Sequence, residues 1–345
     1  RNENGFCDFH RPYVDEVVFS CGKCDGEMRR VLEVVDVWFD SGAMPWASQA
    51  QGGPSASLRA NRRGRFDYPA DYICEAVDQT RGWFYTLLAI AVLLGEERPY
   101  KNVISLGHVL DKSGQKMSKS KGNVVGPWDM VSKYGADAVR WYFYTVNQPG
   151  EPKKFDEADI GKAQREFFNL IYNCFVFYET YADKNHKLQI TNHKQIQNSK
   201  FKIQNLVHVL DRWIVARLQE TILKVTDDLD EYDVGGAARE IQGFVGDLSR
   251  WYIRRSRRRL QRPEDEEDYE ACSATLGYVL FQLSKMMAPF APFVAEALYT
   301  SLKFSIINFQ FLISVHLEEW PGENKKMIDR ELLTAMGEVR RVAAL

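Results

Sequence analysis

The pattern of the chain changes near Ile160, and that change sets what it can fold into. Before it, short apolar runs alternate with helical patterns. Residues 34–40 form a short apolar run that reads as a buried strand, and Asp71-Tyr72-Ile73-Cys74-Glu75 is a compact strand. Residues 80–94 are a strongly apolar helix closed by Gly95, 101–110 a second strand, and 127–143 a further helix. Strands alternating with helices call for a parallel α/β sheet. Beyond Ile160, long helical patterns dominate at 163–182, 211–232, 234–261 and 267–302, which make a helical bundle. The expected fold class is α/β followed by all-α.

At 345 residues with 45% hydrophobic content, the chain has room for two or three domains with real cores. A net charge of −2 gives no overall positive field, so any nucleic-acid contact must come from local basic patches. No uninterrupted apolar run reaches the roughly 18 residues of a membrane span. The opening residues carry neither Met nor a signal-peptide pattern, and are expected to be internal sequence. The six cysteines are scattered apart from Cys21-Gly22-Lys23-Cys24, which suggests a reducing compartment and a candidate metal site rather than a disulfide framework. Residues 52–65 read as a loop and 185–205 as an exposed insertion or linker. Residues 303–313 look like an irregular insertion without a functional reading.

Four strings carry chemistry. Lys116-Met117-Ser118-Lys119-Ser120-Lys121-Gly122-Asn123 sets lysines beside hydroxyls with a glycine to turn the backbone. Such a loop can close over a chain of phosphates. Glu75-Ala76-Val77-Asp78-Gln79-Thr80-Arg81-Gly82-Trp83 spans a strand–helix junction, where ligands bind in open α/β sheets. Glu75, Asp78 and Gln79 would be acceptors for hydroxyls and an ammonium group, with Trp83 as an apolar wall; alternatively Asp78 is simply a helix cap. Asp36-Val37-Trp38-Phe39-Asp40-Ser41-Gly42 offers Trp38 as a pocket wall or as plain core. Residues 250–262 hold seven arginines interleaved with Trp251 and Tyr252; on a helix, Arg250, Arg254, Arg257 and Arg258 share one face. That face is either a solvated charged surface or a phosphate-contacting one.

DVWFDSG, EAVDQTRGWF and KMSKSKGN, in that order and at about that spacing, resemble the isoleucyl-tRNA synthetases of class I. Valyl enzymes differ at the first string, with a Thr-Trp-Phe-Ser-Ser type pattern. The resemblance covers about residues 8–184 and 206–345. It implies the C-terminal half of a Rossmann-type nucleotide-binding domain followed by a helical anticodon-binding bundle. The boundaries it implies are 1–35 for the remnant of a connective insertion with a zinc-knuckle-like CxxC, and 36–145 for the catalytic half-domain. A stem-contact and linker region follows at 146–205, the anticodon bundle at 206–302, and the start of a truncated C-terminal region at 303–345.

The resemblance further implies ATP-dependent activation of isoleucine and its transfer to tRNA(Ile), in the cytoplasm, with Mg²⁺, by a monomer. Lys116 and Lys119 would be catalytic, stabilising the ATP phosphates within an ATP-binding loop of Lys116, Met117, Ser118, Lys119 and Ser120. Glu75, Asp78 and Gln79 would hold the adenylate, and Trp38 and Trp83 would line the side-chain pocket. Arg250, Arg254, Arg257 and Arg258 would contact tRNA. Ala76 departs from the family, where many members have Gly. Cys21 and Cys24 have thiolate spacing for half of a tetrahedral zinc site. The family pairs such a CxxC with another upstream, and Cys7 and His10 are the nearby substitutes in principle. The six histidines form no His-x-Gly-His motif, and no editing domain is recognisable, so both are expected upstream of Arg1. The alternatives are a valyl-type synthetase or, for the chain alone, a tRNA-binding module without catalysis.

Overall fold

A computed structural model of the chain describes residues 11–32, 36–50, 68–181, 207–305 and 313–343. The readings for 52–65, 185–205 and 306–312, and for Cys7 and His10, lie outside the described residues. The chain divides into two compact units, Arg1–Leu106 and Gly107–Leu345.

The first unit opens with an antiparallel hairpin of β1 (Val18–Ser20) and β2 (Glu27–Arg29), in the register Val18 opposite Arg29. Its turn carries the CxxC, and Cys21 donates its N–H to the Gly26 carbonyl at 2.9 Å. Next comes α1 (Val37–Ala50), where a strand was expected. The Asp36 carboxylate accepts the Trp38 N–H at 2.9 Å, and its carbonyl accepts the Phe39 N–H at 2.8 Å. That local cap turns the chain into a helix against the β preference of Val-Trp-Phe. Trp38 therefore rides on a helix and is 45% exposed.

The strands β3 (Ala70–Ala76) and β4 (Tyr100–Leu106) pair in parallel, from Ala70 opposite Tyr100 to Ala76 opposite Leu106. Between them runs α2 (Trp83–Leu93), a βαβ unit as the alternation implied. The helix starts later than expected because Val77–Arg81 wind as a 3-10 turn and Gly82 stands at the N-cap. It stops at Gly95, whose φ of +71° suits glycine; Gly95 N–H reaches the Val92 carbonyl and Glu96 N–H the Ala91 carbonyl. This paired closure satisfies two end-of-helix carbonyls. Ile73, Phe84 and Leu87 form the buried cluster beneath it.

In the second unit, β5 (Val109–Leu110) pairs in parallel with β6 (Lys153–Lys154). The single strand expected over 101–110 is cut at Gly107, whose N–H goes to the Pro149 carbonyl at 2.9 Å. A Cβ there would overlap the Glu151 backbone. The expected parallel sheet is thus two short two-stranded pieces among the described residues.

Helices follow. The 127–143 helix is split into α3 (Pro127–Tyr134) and α4 (Ala136–Thr145) by Gly135, at φ +85°. A continuous run leads from α5 (Glu157–Ala163) through a π turn into α6 (Asn169–Tyr181). The bundle adds α7 (Val209–Asp230), α8 (Val234–Asp247), a second π turn at Leu248–Ile253, and α9 (Arg254–Gln261). Then come α10 (Glu266–Met287), α11 (Pro292–Ser305) and α12 (Arg330–Val342). The break between α10 and α11 falls where Pro289 and Pro292 withdraw backbone donors. Trp141 stacks on Phe167 with centroids 3.8 Å apart, and Trp213, Phe244 and Tyr252 are fully buried beside them. Each such side chain contributes about 1.5–3 kcal/mol of burial. No helix of the described residues is long and apolar enough to cross a membrane.

Candidate functional site

The lysine loop belongs to the second unit and leaves β5 at Leu110. Its base is a compact turn. Asp111 donates its N–H to the Gln115 carbonyl at 2.8 Å, and its Oδ1 accepts the N–H groups of Ser113 and Gln115 at 2.9 and 2.8 Å. Asn123 Nδ2 donates to Asp111 Oδ2 at 2.7 Å, while Asn123 Oδ1 accepts the Ser118 N–H at 2.9 Å. The hydrogen bond from Asn123, then that from the Gln115 backbone, holds the Asp111 carboxyl below the usual carboxylate range. A bridge joins Leu110 to Lys116.

Lys119–Lys121 form one 3-10 turn, ended by Gly122 at φ +67°. Met117 is half-buried and packs against the cluster of Met130, Ala138 and Phe155. Its side chain anchors the loop. Ser118 and Ser120 share a hydroxyl–hydroxyl contact at 3.2 Å. Lys116 and Lys119 are exposed, and neither meets a carboxylate among the described residues. The loop is thus held by backbone, amide and carboxylate groups and by Met117, and both lysine charges are exposed and unpaired among the described residues.

The acidic junction lies in the first unit. Glu75 is exposed one residue before the end of β3, and Asp78 is exposed on the 3-10 turn. Asp78 caps nothing. Gln79 does that work instead, because its Oε1 accepts the Trp83 N–H at 2.8 Å. One lone pair of the Gln79 oxygen is thus engaged, which leaves the other lone pair and the NH₂ to meet a ligand. Gly82 is required here, since a Cβ would overlap Gln79 Oε1 and crowd the Trp38 ring at 3.1 Å. Trp83 Nε1 donates to the Ser41 carbonyl at 3.2 Å. Gly42 lets α1 approach α2, as a Cβ there would meet the Thr86 backbone at 2.8 Å. Trp38, Gln79 and Trp83 are therefore brought together, and Glu75 and Asp78 are exposed on the same junction.

The arginines divide. Arg259 is structural: it is bidentate to buried Asp211 (2.8 and 2.7 Å) and also grips Asp268 at 2.6 and 2.7 Å. Tyr252 donates its hydroxyl to the same Asp211 at 2.7 Å. Arg258 pairs with exposed Glu264, Arg255 lies 3.3 Å over the Trp251 ring, and Arg257 lies 5.9 Å over Phe177. Arg250 and Arg254 are exposed and meet no carboxylate among the described residues. Arg250 also lines a cleft of about 720 Å³ with Lys162, Arg239 and Arg340.

At the hairpin, the Lys23 N–H reaches Cys21 Sγ at 3.4 Å, and this bond, then those from Cys24, pulls the Cys21 thiol down. Two thiols are half of a tetrahedral set. No group of three or more His, Cys, Asp or Glu converges among the described residues, so these residues do not by themselves fit a zinc ion.

Residues 3–155 match the family described as tRNA synthetases class I (I, L, M and V), and residues 211–344 match the anticodon-binding domain of tRNA ligase. The chain belongs to the class I tRNA synthetases. Within that class it is 46% identical over 338 residues to the isoleucine–tRNA ligase of Dehalococcoides mccartyi (strain CBDB1), covering 98% of this chain and 32% of the relative. It is 43% identical over 344 residues to that of Deinococcus radiodurans, covering 98% of this chain and 30% of the relative. The chain spans about a third of the length of the curated relatives it matches. Among solved structures, it superposes on the Agrobacterium radiobacter K84 LeuRS–tRNA–LeuAMS complex with a TM-score of 0.61 at 20% identity, covering 90% of this chain and 36% of that one. The Mycobacterium tuberculosis methionyl-tRNA synthetase with methionyl-adenylate gives 0.58 at 21% identity, covering 75% and 48%. These last likenesses establish the fold alone.

Asp111 and the capping role of Gln79 were missed from the sequence. The signal for the first was present: Asp111-Lys112-Ser113-Gly114 is an aspartate-initiated turn.

Proposed function

We propose that this chain is part of an isoleucine–tRNA ligase that activates isoleucine with ATP, taken as its Mg²⁺ complex, and transfers it to tRNA(Ile). The observation that carries the reading is the anchored loop with two unpaired, exposed lysines. It suits phosphate charge that develops as the isoleucine carboxylate attacks the α-phosphorus. Lys116 and Lys119 act on the phosphates, with Ser118 and Ser120 as hydroxyl donors. Glu75 and Asp78 take the ribose hydroxyls and the ammonium group of the adenylate. Gln79 donates through its amide, and Trp38 and Trp83 wall the side-chain pocket. Arg250 and Arg254 lead the tRNA contacts, with Arg257 and Arg258 beside them. The domain limits given above (1–35, 36–145, 146–205, 206–302, 303–345), a cytoplasmic location and a monomeric whole enzyme belong to the same proposal. No step is routed through zinc.

The chain holds no His-x-Gly-His motif. Taken alone, the 345 residues bind tRNA without forming adenylate. The test is a graft of this segment in place of the aligned third of the Dehalococcoides mccartyi enzyme. Isoleucine-dependent ATP–pyrophosphate exchange is expected from the graft and none from the 345-residue chain alone. A graft that exchanges with valine in preference to isoleucine makes the segment valyl-type. Robust exchange by the chain alone overturns the division of labour.

A further inference from the structure

Two side chains at the base of the lysine loop bond to each other and to backbone amides on either side of Lys116. We propose that Asp111 and Asn123 are positioning residues, a mutual clamp that holds residues 116–121 in the form that receives polyphosphate. The proposal rests on the reading of Lys116 and Lys119 as phosphate-binding groups.

The geometry is reciprocal. Asn123 uses both ends of its amide, Nδ2 to Asp111 Oδ2 at 2.7 Å and Oδ1 from the Ser118 N–H at 2.9 Å. Asp111 uses both carboxylate oxygens, Oδ2 for Asn123 and Oδ1 for the amides of Ser113 and Gln115. The strand end, the turn and the lysine-bearing segment are thereby joined through one pair of side chains, 12 positions apart. The remaining anchors are weaker or further out. Met117 sits on its apolar cluster, Leu110 bridges Lys116, and Lys121 Nζ reaches Gln115 Oε1 at 3.4 Å. Lys119 stands one residue beyond Ser118, the amide that Asn123 fixes. A loop that loses the clamp must order itself when the phosphate arrives, and that ordering weakens binding.

The bond pattern also supplies its own control. In Asp111→Asn, one of two contacts must set a donor against a donor: either the new amide NH₂ faces the Ser113 and Gln115 amides, or it faces Asn123 Nδ2. In Asn123→Asp, two carboxylates face each other. The swap combines both substitutions. Its amide at position 111 accepts from Ser113 and Gln115 and donates to the carboxylate at position 123, which in turn accepts from Ser118. Each short bond is restored, with the same net charge as the original. The swap gives up only the 3.4 Å contact from Asn123 Nδ2 to the Lys116 carbonyl.

The experiment measures binding of inorganic tripolyphosphate to the 345-residue chain by calorimetry, amide hydrogen exchange over residues 111–123, and the melting temperature. Lys119→Ala is the control for phosphate binding. Asp111→Asn removes a negative charge beside the lysines, so charge alone would tighten binding. The clamp makes the opposite prediction. Affinity falls about tenfold, the Ser118 and Gln115 amides exchange faster, and the melting temperature stays at that of the parent. The swap returns affinity to within about twofold and restores slow exchange. Asp111→Asn binding as tightly as the parent or tighter, with Lys119→Ala weakened, overturns the proposal. So does a swap no better than either single variant. If Lys119→Ala binds like the parent, the phosphate reading of the loop has failed, and exchange alone judges the clamp. Faster exchange in both single variants, restored in the swap, then upholds it, and any other pattern removes it.

Discussion

The lysine loop and the arginine helix look alike as strings, and the second unit uses them in opposite ways. In the loop, the short-range fixing is done by groups without net positive charge: an aspartate, an asparagine, backbone amides and one methionine, with Lys121 adding only a 3.4 Å contact to Gln115. Lys116 and Lys119 are left over. In the helix, cations themselves do part of the fixing. Arg259 is buried against Asp211 and Asp268, Arg255 covers Trp251, and Arg258 meets Glu264. Among the described residues of this stretch, Arg250, Arg254 and Arg262 meet neither a carboxylate nor a ring. A count of basic residues therefore overstates the helix as a phosphate surface and does not overstate the loop.

The largest effect that tests this contrast is on stability. Arg259→Met leaves Asp211, with no exposed side chain, as a buried charge without its counter-ion. The expected loss is about 3–5 kcal/mol by urea denaturation, against less than about 0.5 kcal/mol for Arg254→Gln. Equal, small losses for both would mean that Arg259 is as dispensable as its exposed neighbours. Acid adds a second readout. The hydrogen bond from Arg259 is the main reason the Asp268 carboxyl sits below its usual value. Its folded pKa is depressed, so its stabilisation is complete above the ordinary carboxylate range and is lost as pH falls through the lower folded value. Arg259→Met should unfold at a higher pH on the acid limb than the parent.

Next in size is the converse prediction for the loop, where loss of a cation should cost chemistry and not fold. In the grafted enzyme, Lys119→Ala lowers kcat for exchange about 10²- to 10³-fold, with KM for isoleucine within about twofold and the melt unchanged. In the proposed role the lysine meets charge present only in the transition state, and the asymmetry follows from that. A rise confined to KM for isoleucine would move Lys119 from the phosphates to the amino acid.

What could be read in advance followed a physical divide. Periodicity identified the bundle, because a helix that buries a stripe repeats it over many turns, as α7 and α10 do. KMSKSKGN marked the loop proposed above for phosphate, because close approach of backbone and cation to phosphate restricts the residue types allowed. Breaks were harder. Gly107, Gly135 and the Pro289–Pro292 stretch divide elements that look continuous, and the two π turns carry no side-chain signature. Residues 36–40 were misread since Val, Trp and Phe favour strands in isolation, while a single Asp36 cap decided the helix. In the junction, the residue types were legible and the direction of one was not. Gln79 gives part of its acceptor capacity to an amide four residues away. The structural role of Arg259 depends on Asp211, 48 positions off, which no local pattern reveals.

The smallest effect concerns which arginines reach RNA. A phosphate contact releases counterions, so each one lost should reduce the slope of log K against log salt by about 0.7–0.9. Arg250→Gln and Arg254→Gln remove cations that no carboxylate holds, and each should flatten the tRNA-binding slope by about that amount. Arg258→Gln should flatten it less, because Glu264 already screens that charge in the free protein and must be given up on binding. Arg257, over the Phe177 ring, falls between them. Titrations of the 345-residue chain at three salt concentrations, with a melt on each preparation, give the ranking. If all four variants flatten the slope equally, the protein's own contacts do not compete with RNA and the division among the arginines is irrelevant to binding. If none does while every variant stays folded, the helix is held by Arg259 for packing alone, and the RNA contacts must be sought on another surface. The cleft that Arg250 lines together with Lys162 and Arg239 would then be the first place to substitute.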